Sequence, residues 1–325
     1  MTGDFLWLSF GLALLMLGGE SVVRGATSLA RTLGVSPLVI GLTIVAFGTS
    51  APEIAVNLIA AFEGKGEISF GNIIGSNMAN IGLIVGCCAL VRPIVIHDVV
   101  VARELPMMLL ATIAAVAMAF DDFLELGPDR YARSDGVILL LLFGVFLFYT
   151  VGDFVRQRGD ENNHRNEEMG LAVEGSMARH LAVTGVGFVA LVWGADVTVE
   201  AAVNVAGALG VSDAIIGLTI LAVGTSLPEL VASMVATMRG HTELAIGNVV
   251  GSNIFNLLLV MGLTSVVSPV PVPSGGHLDL IVVSVLSVLL FLVSNTADRK
   301  IIRGEALLLL VGYFTYMSWR TLYST

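Results

Sequence analysis

Glu53 and Glu229 each follow a proline in the middle of a long apolar run, in "GTSAPE" and "GTSLPE", and stand 176 positions apart. An ionised carboxylate at mid-bilayer depth costs about 2.5 to 3.5 kcal/mol on insertion scales, so each needs a compensating partner. No Arg, Lys or His occurs in either segment, nor in the two "GNxxGSNxxN" segments that follow. A metal cation or a proton is the compensation that remains.

The neighbouring residue types suit a hard cation. Thr49 and Ser50 lie four and three residues before Glu53, and Thr225 and Ser226 stand the same way to Glu229, which puts hydroxyls on the carboxylate's helical face. Pro52 and Pro228 lack an amide donor, which frees carbonyls such as those of Gly48 and Gly224. Ser76 with Asn80, and Ser252 with Asn256, again stand at i and i+4 and offer neutral oxygens. Such an all-oxygen shell fits Ca²⁺ or Na⁺ and not the nitrogen and sulfur shell of zinc or copper. Packing accounts for some of these residues equally well. Gly71 with Gly75 and Gly247 with Gly251 form small-residue faces, and Ser76 or Asn72 taken singly reads as a helix-packing residue. The duplicated glutamates have no comparable packing explanation. Glu20 and Asp196, also related by 176 positions, fit a transport path, a capping role or an interface; Glu63, Glu67 and Glu243 fall at helix ends and read as caps or solvated groups.

The elements that must hold these residues are membrane helices. The 325-residue chain is 56% hydrophobic and 13% charged, with a mean hydropathy of +0.90, beyond an ordinary soluble domain. About ten runs are long enough to cross a ~30 Å hydrocarbon layer, near 4–24, 36–62, 69–91, 104–120, 134–152, 179–208, 212–237, 244–268, 277–294 and 304–320. None alternates as barrel strands do, so the expected class is an all-α integral membrane protein. "MTGDFLWLSF" has no basic residue and reads as a retained first helix. The net charge of -10 and the lack of a basic tract exclude nucleic acid as a partner. Cys87 and Cys88 are adjacent within an apolar run and read as core residues.

The polar stretch 153–178 reads as a cytoplasmic linker between two halves, 1–152 and 179–325. Across it "TLGVSPLVIGLTI" aligns with "ALGVSDAIIGLTI", and "GNIIGSNMANIGL" with "GNVVGSNIFNLLL", without a gap, so the repeated motifs span 41–83 and 217–259. Five spans per half is an odd number, so the second copy enters the membrane in the opposite sense, the inverted-repeat plan with broken helices and an ion site at the midplane. The distribution of the sixteen bases, twelve on one side and four on the other, places both termini outside, with the acidic loop from Asp121 external.

The paired "GTSAPE"/"GNIIGSN" and "GTSLPE"/"GNVVGSN" motifs resemble the α-repeats of the cation/Ca²⁺ antiporters, in particular the bacterial Na⁺/Ca²⁺ exchanger branch, over nearly the whole chain. The resemblance implies a ten-helix carrier in the cell (inner) membrane, with no enzymatic activity and no cofactor, whose cargo ions are Ca²⁺ and Na⁺. It implies that Glu53 and Glu229 bind both ions and that main-chain oxygens of Thr49 and Thr225 complete the Ca²⁺ shell. Ala46, Ser76, Ala222 and Ser252 would then contribute to flanking Na⁺ positions, with Asn80 and Asn256 lining the centre. H⁺-coupled relatives carry an acid in the second motif, of the form GNAAE; "GNIIGSN" has none, which favours sodium as the coupling ion. The alternatives are an H⁺-coupled Ca²⁺ or Mn²⁺ exchanger and, less in keeping with inverted duplication, a cation channel.

Overall fold

The computed structural model describes residues 2–121, 128–168, 176–209 and 222–323. It is mostly helical: α1 Thr2–Leu33, α2 Pro37–Thr49, α3 Ala51–Phe62, α4 Gly66–Val91, α5 Val100–Met118, α6 Arg133–Glu168, α7 Met177–Ala208, α8 Leu227–Met238, α9 Thr242–Val267, α10 Gly276–Val293 and α11 Arg303–Tyr323. Among the described residues seven helices are long and apolar enough to span a bilayer, and eight if the bent pair of α2 and α3 counts as one span.

One run shows an expected break, one lies partly outside the described residues, and the polar stretch differs from its sequence reading. The run 36–62 is broken at Ser50 into α2 and α3, which meet at 44°. Of the run 212–237, the first ten residues lie outside the described residues, and the rest forms a short turn, Ala222–Gly224, followed by α8. The polar stretch after residue 152 continues as helix α6 to Glu168, because Glu, Arg and Gln propagate a helix already nucleated in the membrane segment. Residues 169–175 of that stretch, and 122–127 of the acidic loop, lie outside the described residues.

Local sequence explains the ends of the helices that carry the glutamate motifs. Ser36 caps α2 by accepting from the Val39 amide at 3.4 Å, with Pro37 in the first turn, where its missing N–H has no bond to lose. Gly64 and Gly240 end α3 and α8 with φ of +72° and +84°. Each turn is closed by a bond from the following residue, Lys65 N to Ala60 O at 2.8 Å and His241 N to Ala236 O at 2.8 Å. Only glycine takes that left-handed turn without strain.

Two packing units result. One apolar core joins α4, α5, α6, α9, α10 and α11 to the buried face of α2, and a second joins α1 and α7 to α2, α8 and the start of α9. The α1–α7 interface is an antiparallel small-residue zipper. A Cβ on Gly11 would come within 2.5 Å of Thr198 Oγ1, on Gly18 within 2.8 Å of Leu191 N, and on Gly25 within 2.2 Å of Thr184 Oγ1. Gly187 and Gly194 meet the Val22 and Leu15 amides in the same way, both at 2.8 Å. Two short antiparallel pairs fasten one half to the other: β1 (Ile94–Val95) with β4 (Lys300–Ile301), and β2 (Arg130–Tyr131) with β3 (Val270–Pro271).

Candidate cation site

The helix breaks decide where the carboxylates sit. Ser50, at φ -82° and ψ 5°, ends the α2 geometry, and α3 restarts at Ala51 with Pro52 in its first turn. Ser226, at φ -86° and ψ 4°, precedes α8 and Pro228 in the same way. Glu53 and Glu229 therefore lie in the first turn of a 12-residue half-helix, at its electropositive end. That end contributes about 0.3 to 1 kcal/mol, and up to about 2 in partly buried geometry, against an insertion cost of about 2.5 to 3.5. The half-helix reduces the cost of each charge without removing it, so a further partner is still required.

Both carboxylates are 1% exposed. Ser50 Oγ donates to Glu229 Oε1 at 3.1 Å, so the break of the first half reaches the acid of the second. Glu53 Oε1 and Oε2, Glu229 Oε2, and the hydroxyls of Ser76, Ser226 and Ser252 make no hydrogen bond among the described residues, and neither do Asn80 Oδ1 and both polar atoms of the Asn256 amide. Buried polar atoms without partners cost about 1 to 3 kcal/mol each. Asn80 and Asn256 occupy π-helical turns, Ala79–Val85 and Phe255–Val260, which interrupt α4 and α9 beside the motifs. Among the described residues no group of three or more His, Cys, Asp or Glu could hold a metal.

Of the remaining candidates, Ala46 and Thr49 are fully buried near the break, and Thr225 is half-buried. The side chain of Ala222 lies outside the described residues. The two threonines make mirrored bonds between halves: Thr49 Oγ1 to Asn248 Oδ1 at 3.1 Å, and Thr225 Oγ1 to Asn72 Oδ1 at 3.1 Å. Asn248 also donates to Ser233 Oγ at 2.9 Å, and Asn57 Nδ2 donates to the Glu53 carbonyl at 2.7 Å. These four residues were not singled out as ligands by the sequence. The signal available was the second letter of both "GN" motifs, and the polar residue four places after each glutamate.

Tertiary contacts separate the other acids. Glu20 is held by Arg24 and by Arg239, the residue that ends α8. Asp196 lines a cavity of about 860 Å³ between α7 and the α2–α3 break, where Gly48, Pro52 and Thr225 also contribute wall. Glu63 pairs with Lys65 at 2.7 Å and Glu243 with His97 at 2.8 Å, both at helix ends, and Glu67 sits in the first turn of α4. Cys88 is a free, buried residue and Cys87 a half-buried one, in keeping with core packing.

The family model described as "Sodium/calcium exchanger protein" matches residues 4–152 and 179–322. The sodium/calcium exchanger MaX1 of Methanosarcina acetivorans is 33% identical over 347 residues, covering 98% of each chain. The inner membrane protein YrbG of Escherichia coli (strain K12) is 33% identical over 315 residues, covering 96% of this chain and 94% of that one. A solved structure of the sodium-calcium exchanger NCX_Mj superposes with a TM-score of 0.83 at 32% identity, covering 97% of this chain and 98% of the other.

Proposed function

The chain belongs to the sodium/calcium exchanger protein family, and we propose that it exchanges Na⁺ for Ca²⁺ across the cell (inner) membrane by alternating access to one site shared by Glu53 and Glu229. The observation that carries this reading is the pairing of two half-sites: two buried carboxylates at the N-termini of broken helices, joined across the halves by the Ser50–Glu229 bond. Main-chain oxygens of Thr49 and Thr225 complete a Ca²⁺ shell. Ser50, Ser226, Asn80 and Asn256 line the site, and Ala46, Ser76, Ala222 and Ser252 serve flanking Na⁺ positions.

Charge then dictates exchange. Two carboxylates neutralise one Ca²⁺, and because positions 80 and 256 carry uncharged Asn, no third acid is available to additional Na⁺. Both ions draw on the same two carboxylates, so loading one excludes the other, and a carrier that crosses only when loaded becomes an antiporter. The arrangement proposed is two inverted five-helix repeats, with both termini outside. The mirrored contacts at an offset of 176 support the repeats, and the distribution of Lys and Arg supports the orientation.

The test is sodium-gradient-driven ⁴⁵Ca²⁺ uptake into proteoliposomes with the pH gradient collapsed. Uptake that follows the sodium gradient is expected. Uptake that appears only when a proton gradient replaces the sodium gradient would assign the coupling to H⁺, and uptake not stimulated by internal Na⁺ would indicate a channel.

A further inference from the structure

The two sides of the shared site are not closed alike. On one side α1 packs directly on α8: a Cβ on Gly19 would come within 2.9 Å of Val231 Cγ1, and Val235 is 5% exposed. At the position 176 residues earlier than Val235, Ile59 on α3 is 58% exposed, and the 860 Å³ cavity separates α7 from α3. Alanine, Ala195, stands on α7 where α1 has Gly19.

The charges differ in the same sense. Arg239 grips Glu20 with two nitrogens, Nε on Oε2 at 3.0 Å and the guanidinium NH₂ on Oε1 at 2.6 Å, and Arg24 adds a second cation to the same carboxylate. The repeat-related positions of Glu20, Arg24 and Arg239 are Asp196, Glu200 and Glu63. Three acids stand where the packed side has one acid and two bases. Asp196 and Glu200 are exposed and make no ion pair among the described residues. A forked Arg–carboxylate pair fixes one helix against another, whereas carboxylates brought together repel.

Resting on the alternating-access reading above, we propose that the Glu20–Arg239 pair locks one gate of the carrier, and that the opposite gate has no equivalent lock. The substrate-free protein is thereby biased toward the state open on the Asp196 side. On the orientation proposed above, the locked gate is the cytoplasmic one. Closing the other gate carries Asp196 and Glu200 on α7 toward the end of α3, where Lys65 is already paired with Glu63 at 2.7 Å, so the two α7 carboxylates meet no forked cation like Arg239 and that state gains no lock. An inverted repeat with equivalent gates would treat its two faces alike; this chain makes them unequal through three side chains.

The apparent dissociation constant at each face is the intrinsic one divided by the fraction of carrier open to that face, so the ratio between faces reads the gate equilibrium directly. In the reconstituted full chain, Arg239→Gln is expected to shift the ratio of apparent Ca²⁺ affinities about fivefold in favour of the locked face, the scale of a partly exposed ion pair. A second readout needs no transport. In a Cys87→Ser, Cys88→Ser background, the cavity-lining reporter Ala51→Cys is expected to react more slowly with N-ethylmaleimide when Arg239→Gln is added. Glu63→Arg, which gives Asp196 a partner, is expected to slow the same reaction. Unchanged labelling in both variants, or an equal loss of affinity at both faces, would overturn the lock. If labelling responds as stated while the parent chain shows no sodium-driven uptake, the exchanger reading fails and the lock stands.

Discussion

Ser50 and Glu229 lie 179 positions apart and are joined by a 3.1 Å hydrogen bond from the serine hydroxyl to Oε1. The bond ties the helix break of one half to the carboxylate of the other, so neither half holds a complete site. A hydrogen bond to a charged group contributes about 1.5 to 3 kcal/mol. Ser50→Ala is therefore expected to weaken equilibrium Ca²⁺ binding roughly tenfold or more and to lower the thermal unfolding midpoint by about a few degrees. Equilibrium ⁴⁵Ca²⁺ binding alongside a melting curve checks both parts.

Glu53→Gln and Glu229→Gln keep the shape of each side chain and remove its charge. Deleting one partner of a buried ionic arrangement costs about 3 to 5 kcal/mol, or more than about a hundredfold in affinity. Each variant is expected to lose measurable sodium-driven ⁴⁵Ca²⁺ uptake, and full activity in the double variant would remove the glutamates from the mechanism.

Asn248 and Thr49 come from different halves and share one hydrogen bond. If the asparagine acts by holding the threonine, the effects of Asn248→Leu and Thr49→Val on Ca²⁺ KM should be non-additive, with a coupling of about 0.5 to 3 kcal/mol. The mirrored cycle of Asn72→Leu with Thr225→Val is expected to show coupling of the same sign. Additive effects in both cycles would reduce the asparagines to independent packing residues.

Gly187 and Gly185 sit two residues apart on α7 and face different surroundings. A Cβ on Gly187 would approach the Val22 backbone amide to 2.8 Å, whereas one on Gly185 meets nothing within 4 Å. Overpacking a tight interface costs about 1 to 3 kcal/mol. Gly187→Ala is expected to lower thermal stability and slow exchange, and Gly185→Ala to leave both near the parent values, as measured by a melting scan and initial uptake rates.

Much of the molecule was readable without coordinates. The membrane class follows from apolar runs, since only helices satisfy their own backbone in lipid. Glu53 and Glu229 stood out because a buried charge is too costly to be incidental, and their duplication at a constant offset implied a shared site. Helical spacing put the hydroxyls of Thr49, Ser50, Thr225 and Ser226 on the faces of the two glutamates. Hydropathy does not record backbone angles, so a broken helix was expected around the proline of 36–62 but the dihedrals at Ser50 were needed to place the break.

The sequence alone thus determined which residue types could hold a hard cation and that they occur twice, because both properties are local to a turn or two of helix. Tertiary structure decided which of those oxygens find donors and which do not, that Asn72 and Asn248 reach the threonines, and that Glu20 meets Arg239 while Asp196 faces a cavity. The physical reason is distance along the chain. A helical period relates residues three or four apart, whereas these contacts join segments more than 150 positions apart, and their alignment is set by how glycine-lined helix faces close on one another.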